Sequence, residues 1–257
     1  MKLAYVFGLV GTPNVLQKAT HLAAIELLRR TGAAHDVVSL QTQEAPPALK
    51  NALHQLNATA LRVEPVHGRC TAKHHKAFRF AFSFTFARLW EQTQYDKLMY
   101  FDADLAILSN PDKVFEPWAV ANTSELRAPI GCAPHATASK YNTGVWGMTP
   151  SREYFSKLHH WLVHAEKGCG IGFQSWIGTF GRNNSFTRLP LSWNMKADKG
   201  ITNCKRSRKI TNVNVIHWSG NRKPMGLTTN DPIEAKALHT YQTHVRRWER
   251  WFEAAGD

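Results

Sequence analysis

The chain has 257 residues, of which 43% are hydrophobic and 20% are charged. This length suits one large α/β domain, and the apolar share excludes a largely disordered chain. The formal net charge of +13 favours an anionic partner, such as a nucleotide, a nucleic acid, an acidic polymer or an anionic membrane surface, without choosing among them. The scattered cysteines contain no C-x-x-C pair, so we expect reduced thiols rather than a zinc site or a dense disulfide framework.

Strand and helix patterns alternate through the first quarter of the chain. Apolar runs at residues 3–10, 36–40 and 60–66 predict buried strands, and the spacing of apolar residues predicts helices over 16–31 and 47–56. This alternation predicts a mostly parallel sheet with helices on both faces. The first run is too short to span a membrane and lacks a signal cleavage site, so the sequence predicts a cytoplasmic chain without a transmembrane segment.

The rest of the chain continues the α/β pattern. A stretch without glycine or proline, 73–93, predicts one long helix, and strands are expected at 97–104 and 142–148. Thr149-Pro150 predicts an N-cap and a first-turn proline for the next helix. Asp231 to Glu234 resembles a capping box for a last helix.

Two carboxylates directly follow a predicted central strand. Asp102 and Asp104 end the apolar run 98–101, and α/β sheets place ligand sites at the carboxyl ends of their strands. Carboxylates at positions i and i+2 of an extended segment point to the same side, so both can reach one hard cation. A lone D-x-D triplet is common, and such aspartates also form caps and turns. The second apolar run that follows, 105–108, favours the cation site.

An ordered set of sequence blocks resembles the family 8 glycosyltransferases, the glycogenin-like group. Each block alone is common, whereas the ordered set, which spans about residues 3–225, is specific. The blocks are F-T at 84–85, T-Q-Y-D-K at 93–97, Y-F-D-A-D at 100–104, S-N-P-D at 109–112, Y-N-T-G-V at 141–145, G-F-Q at 172–174, L-P-L-S-W-N at 189–194 and V-I-H-W-S-G-N-R-K-P at 215–224.

The resemblance implies a GT-A type α/β fold in a single domain, with a Rossmann-like, mixed and mostly parallel sheet flanked by helices. It implies a nucleotide-binding half at 1–110, a donor-sugar and acceptor half at 111–230, and a C-terminal helix at 231–257. The implied activity is transfer of a hexosyl sugar from a nucleotide-diphosphate sugar, expected to be a UDP-sugar, to a glycan or protein hydroxyl with retention of configuration. No nucleic-acid partner is expected, and the oligomeric state stays open.

The resemblance also implies a metal site. Asp102, Asp104 and His217 would be the protein ligands of a divalent cation. Their oxygen atoms suit Mg²⁺ or Mn²⁺, and the imidazole favours Mn²⁺. The cation would offset the charge of the departing nucleotide diphosphate.

The donor would be held by residues around this metal. Gly220 would allow close approach of the backbone to the diphosphate, and Lys223 would supply a positive charge. Asn142 and Gly144 occupy the positions where the family contacts the donor sugar. Gln174 occupies the position on the far face of the sugar, where a weak nucleophile or a cation-stabilising dipole is expected.

Three positions depart from the family pattern. Phe173 stands where an aspartate normally precedes the glutamine, which suggests as a hypothesis a less hydroxylated or deoxy donor sugar. Phe86 replaces a lysine that reaches the nucleotide phosphates, and Arg88 or Lys76 could take its place. The segment 8–12 does not match the family loop that holds the base and ribose, so uridine recognition is implied by the family alone.

The sequence also allows three other interpretations of the function. A catalytically weak relative could bind a nucleotide sugar or a glycan, as the two phenylalanines suggest. A nucleic-acid-binding module would explain the net charge and the mixed basic and aromatic residues near the carboxyl terminus. A nucleotidyltransferase could also place metal carboxylates after a strand, although residues 8–18 match its Gly-rich basic loop poorly.

Overall fold

A computed structural model describes residues 1–67, 82–121, 125–129, 141–164, 173, 186–197, 201–202, 210–218 and 223–256. The four cysteines, which were expected to be reduced thiols, lie outside these residues. Within them, strands and helices alternate along the chain. The strands are β1 (Leu3–Leu9), β2 (Asp36–Gln41), β3 (Thr59–Arg62), β4 (Lys97–Phe101), β5 (Leu105–Ile107), β6 (Glu125–Pro129), β7 (Tyr141–Met148), β8 (Phe186–Arg188), β9 (Met195–Lys196) and β10 (Val215–His217). The helices are α1 (Val15–Arg30), α2 (Pro47–Gln55), α3 (Asp112–Val120), α4 (Arg152–His164) and α5 (Pro232–Ala255), with 3-10 helices at Ser83–Glu91 and Leu191–Trp193.

The strands form a large sheet and a small one. The large sheet has the order β3-β2-β1-β4-β7-β6-β8, and the small sheet has the order β5-β10-β9. In the large sheet, β1 pairs in parallel with β2 and β4, β2 with β3, and β6 with β8, whereas β7 is antiparallel to β4 and β6. The predicted α/β class with a mixed, mostly parallel sheet in one domain is confirmed.

Strands β1, β2 and β4 of the large sheet are buried on both faces, as their continuous apolar runs predict, whereas the edge strand β3 is mostly exposed rather than buried. Alternate residues of β1 point to opposite faces because the side-chain period of a strand is two. Tyr5 and Phe7 join a core with α1, α3, α5 and the small sheet, whereas Ala4 and Val6 join a second core with the 3-10 helix and α4.

Several element predictions are confirmed and some boundaries are corrected. Both α1 and α2 begin and end where expected, but β3 is shorter than the predicted 60–66. The described part of 73–93 is a 3-10 helix rather than an α-helix; its period of three puts Phe84, Ala87 and Trp90 on one buried side. The strand expected to reach residue 104 ends at Phe101, because the chain leaves the large sheet there and enters the small one at β5.

Two helix caps also differ from the predictions. Ser151 rather than Thr149 caps α4, since its Oγ accepts from the Tyr154 N–H at 3.1 Å. Asp231 caps α5 as predicted, accepting from two backbone N–H groups. Glu234 does not complete the capping box, because it is fully buried and accepts from the Trp218 indole N–H at 3.0 Å. Among the described residues, no helix combines the length and apolar character that crossing a bilayer requires.

Candidate metal centre

Three potential ligand atoms from two separate parts of the chain converge at the junction of the two sheets. The antiparallel pairing of β10 with β5 places His217 opposite Leu105, directly after the two aspartates. The His217 Nε2 atom lies 3.5 Å from Asp102 Oδ2 and 3.3 Å from Asp104 Oδ1. His217 is 2% exposed, so its ring is held in place, while the aspartates are half-buried.

The turn that carries the aspartates is held by three different elements. The Asp102 N–H donates to the Gly144 carbonyl of β7 at 2.8 Å, and the Trp218 N–H donates to the Asp104 carbonyl at 3.0 Å. The Tyr241 hydroxyl of α5 donates to the Ala103 carbonyl at 2.6 Å. The carboxylates are therefore presented by a rigid backbone rather than by a free loop.

The two carboxylates have different electrostatic surroundings. Burial, followed by the negative charge of Asp104, raises the pKa of Asp102 to about 6. Burial alone would also raise the pKa of Asp104, but hydrogen bonds and charge from His217 and Lys223 lower it to about 2. The Tyr100 hydroxyl donates to Asp102 Oδ1 at 2.9 Å. The two neighbouring carboxylates repel each other when both are ionised, and a bound cation would reduce this repulsion.

The three ligand atoms fit a divalent ion. Two ligands at right angles, each about 2.1 Å from an ion such as Mg²⁺, lie about 3.0 Å apart, close to the observed separations. The donor set of two carboxylate oxygens and one imidazole nitrogen suits Mn²⁺ or Mg²⁺. A small contraction of the side chains would bring all three into contact with one ion.

Asn142, Gly144 and Lys223 lie next to this centre. A Cβ atom on Gly144 would come within 2.2 Å of the His217 ring, so only glycine leaves room for that ring. The Asn142 Oδ1 atom accepts from the Gly144 N–H at 2.8 Å. The Lys223 ammonium group donates to Asp104 Oδ2, and its side chain is 63% exposed.

Among the described residues, Arg88 makes its contacts away from this centre. The Arg88 guanidinium group donates to the Glu64 carbonyl at 3.0 Å and to Glu91 at 2.8 Å, and it lies over the Phe155 ring. Gln174 and Gly220, like Lys76, lie outside the described residues. The role of Arg88 at the phosphates stays a prediction.

Known proteins resemble the chain in sequence. The glycogenin of Neurospora crassa is 25% identical over 170 residues, which cover 65% of this chain and 22% of that protein. Glycogenin-1 of Caenorhabditis elegans is 27% identical over 177 residues, 67% of this chain and 37% of that protein. Galactinol synthase 2 of Ajuga reptans is 24% identical over 136 residues, 51% of this chain and 44% of that protein. The chain spans less than half the length of these relatives, and no protein-family model matches it.

Solved structures resemble it in fold. The galactosyltransferase LgtC, solved with donor and acceptor sugar analogues, aligns with a TM-score of 0.67 at 13% identity over 95% of both chains. The glycosyltransferase GlyE of Streptococcus pneumoniae TIGR4 aligns with a TM-score of 0.66 at 14% identity, over 96% of this chain and 63% of that one. The chain is therefore similar in sequence to glycogenins and a galactinol synthase, and similar in fold to solved glycosyltransferases. Its fold is the GT-A fold.

The two phenylalanines that depart from the family 8 pattern contact each other. The rings of Phe86 and Phe173 lie 5.8 Å apart, and Phe86 also packs against Tyr100 at 4.9 Å. A Cβ on Gly8 would come within 2.2 Å of the Phe86 ring, so glycine at the end of β1 accommodates this phenylalanine. Phe173 is 4% exposed and packs on Trp146. An aromatic surface for a donor sugar would therefore be Phe86, not Phe173.

Two residues of the site were missed by sequence reasoning. Asn194, fully buried, contacts both His217 and Asn142, and Tyr241 reaches the aspartate turn from α5. Asn194 ends one of the family 8 blocks, which was a usable signal. Tyr241 lies in a helix that the resemblance does not cover, and its apolar spacing predicts only a core residue.

Proposed function

We propose that this chain transfers a hexosyl sugar from a nucleotide-diphosphate sugar, most economically a UDP-sugar, to a hydroxyl of a glycan or protein, with retention of configuration. The observation that supports this proposal is the convergence of Asp102, Asp104 and His217, three family 8 metal positions, at one point. A bound Mn²⁺ or Mg²⁺ ion would supply charge neutralisation for the departing nucleotide diphosphate.

The residues of the chain would divide the remaining tasks. Lys223 would exchange its bond to Asp104 for the diphosphate, which its exposure and its flexible stem allow. Asn142 and the backbone at Gly144 would position the sugar, and Gly220 would admit the diphosphate close to the backbone. Gln174 would stabilise positive charge at the anomeric carbon from the far face. Arg88 would have to leave Glu91 to contribute.

A second candidate function is nucleotide-sugar or glycan binding with weak catalysis. The contact between Phe86 and Phe173 favours it, because both positions carry polar side chains in the family pattern. Compared with the family pattern, Phe86 replaces a lysine that would reach the phosphates, and Phe173 replaces an aspartate near the sugar. Binding of the donor would then persist while transfer is slow.

Calorimetric titration with UDP separates these functions from nucleic-acid binding. We expect UDP to bind in the presence of Mn²⁺ and to bind at least about tenfold more weakly after Asp104→Asn, which replaces an anionic metal ligand with a neutral amide. Asp36→Asn, at the start of β2, is the matched control and should bind as the wild type does. Equal UDP affinity with and without metal would contradict the proposal, as would tight, salt-sensitive oligonucleotide binding that survives chelation.

Release of labelled sugar separates transfer from binding alone. We expect slow hydrolysis of at least one UDP-sugar by the wild type with Mn²⁺, and none by Asp104→Asn. Comparison of several sugar nucleotides tests the deoxy-sugar hypothesis, which fails if glucose is the best donor. Metal-dependent UDP binding without any transfer or hydrolysis would support the binding function instead.

A further inference from the structure

A chain of hydrogen bonds runs from the backbone of β7 to the imidazole of the metal centre. The Gly144 N–H donates to Asn142 Oδ1 at 2.8 Å, and Asn194 Nδ2 donates to the same oxygen at 2.9 Å. The other end of Asn194, Oδ1, lies 2.9 Å from His217 Nδ1. Asn194 is fully buried and His217 is 2% exposed, so water does not compete for these bonds.

The direction of this chain is determined by its backbone end. A backbone N–H can only donate, so the Asn142 atom that it meets must be the amide oxygen. That oxygen can only accept, so the Asn194 atom beside it must be the NH₂ group. The opposite end of Asn194 is then an oxygen, which can only accept from His217. Amide and imidazole orientations are normally ambiguous, but here the Gly144 N–H removes the ambiguity.

We propose that Asn194 is a positioning residue that keeps the proton of His217 on Nδ1 and directs the lone pair of Nε2 at the cation. This inference deepens the proposed function and rests on it, because it assumes that Asp102, Asp104 and His217 hold a metal ion. A metal-bound histidine needs an acceptor for its other ring N–H, which fixes the tautomer and the ring plane. Asn194 is that acceptor.

The backbone around Asn194 is suited to this task. The 3-10 turn Leu191–Trp193 ends at Asn194, whose N–H donates to the Leu191 carbonyl at 3.0 Å. The next residues form β9, which pairs in parallel with β10 so that Lys196 lies opposite His217. Asn194 and His217 therefore belong to adjacent segments of one small sheet, which holds their side chains at a constant distance.

Long-range proton–nitrogen NMR on protein labelled with ¹⁵N-histidine reads the tautomer directly. The His217 signals are assigned by their loss in His217→Gln, and spectra are recorded without metal and with Mg²⁺, which is diamagnetic. We expect Nδ1 to carry a proton in both states of the wild type. In Asn194→Ala the Nδ1 proton should no longer be fixed, and both tautomers should appear. An unprotonated Nδ1 in the wild type, or an unchanged tautomer in Asn194→Ala, would overturn the inference.

Metal affinity gives a second readout. Mn²⁺ binding, followed by electron paramagnetic resonance, should weaken about 10- to 100-fold in Asn194→Ala. Asn194→Asp retains an acceptor for His217 and should restore the Nδ1 proton, but it loses the hydrogen bond to Asn142 Oδ1, so the affinity should recover only in part. Asn214→Ala, which removes a neighbouring amide that donates to Ser192 Oγ, is the matched control and should change neither readout. A mixture of His217 tautomers in Asn194→Asp would count against the positioning role.

The two proposals can fail separately. If Nδ1 carries its proton in the wild type but no cation binds, the metal-dependent function fails while the assignment of the tautomer stands. If Mn²⁺ binds and Asn194→Ala leaves its affinity unchanged, the positioning role fails while the function stands.

Discussion

At the scale of single residues, the candidate site depends on close contacts that permit little variation. The His217 ring occupies the space where Gly144 would carry a Cβ, and the same glycine donates its N–H to Asn142 and its carbonyl accepts from Asp102. One small residue thus sets the positions of three site residues. The family 8 resemblance implies that this glycine contacts the donor sugar, and the structure adds that its missing side chain leaves room for the His217 ring.

Gly144→Ala should reduce Mn²⁺ affinity by about tenfold or more, because the new methyl group displaces the His217 ring. Titration calorimetry measures the affinity. Gly256→Ala is the control: it introduces a side chain at a positive φ of 73° at the end of α5, with no neighbour within 4 Å. That variant should lose some stability through backbone strain and bind Mn²⁺ normally. Normal Mn²⁺ affinity in Gly144→Ala would show that the ring does not serve the metal.

At the scale of elements, α5 supports the candidate site through side-chain hydrogen bonds. Its Tyr241 hydroxyl bonds the Ala103 carbonyl, and its buried Glu234 accepts from the Trp218 indole. Both contacts reach segments that carry the candidate metal ligands. The helix also packs along α1, where Glu26 accepts from the Trp248 indole at 3.0 Å and from Arg247. The family 8 resemblance ends before this helix, so only packing shows its importance.

Glu26→Ala should destabilise the protein by about 2–4 kcal/mol, because it leaves the buried Trp248 indole without its acceptor and the Arg247 guanidinium group without its partner. Urea unfolding measures the change. Glu253→Ala, an exposed acid on the same helix, should change the free energy of unfolding by less than about 0.5 kcal/mol. Equal effects of the two substitutions would mean that the buried cluster does not stabilise the contact between α1 and α5.

At the scale of the whole molecule, the large sheet separates two cores, and a buried histidine links stability to pH. His21 of α1 is fully buried, and its Nε2 atom lies 2.7 Å from Ser39 Oγ of β2. Burial lowers the pKa of His21 from 6.5 to about 3. His21 therefore becomes protonated below about pH 6.5 in the unfolded chain but only near pH 3 in the folded chain. The contribution of neutral His21 to the free energy of unfolding is fully present above about pH 6.5 and decreases as the pH is lowered.

This link predicts a specific change in the acid stability. Between pH 6.5 and pH 5, His21 should account for a loss of about 2 kcal/mol in the free energy of unfolding, since each pKa unit corresponds to about 1.4 kcal/mol. His21→Asn should remove that part of the pH dependence, measured by urea unfolding at several pH values. His239→Gln, which removes an exposed histidine of α5, should retain it. The same pH dependence in His21→Asn and wild type would contradict the link.

Local patterns of the sequence determine much of this fold. Apolar runs and helical spacing predict β1, α1, β2, α2, β7 and α5 closely, because the side-chain period of each is contained in one segment of the sequence. The described part of the helix predicted over 73–93 is wound as a 3-10 helix, because local propensity leaves 3-10 and α winding close in energy. The Thr149 cap was wrong, since several hydroxyls compete for one cap. The D-x-D pair and its place at a strand end were also visible in the sequence.

Tertiary structure decides what no single segment expresses. The partners of Asp102 and Asp104 come from β10 and from the loop after it, and only the antiparallel pairing of β5 with β10 brings His217 to them. The tautomer of that histidine depends on three residues from β7 and the segment before β9, and the role of α5 depends on one tyrosine hydroxyl. The physical reason is that sequence periodicity specifies which face of an element is buried, whereas the contacts between distant elements depend on how their faces meet.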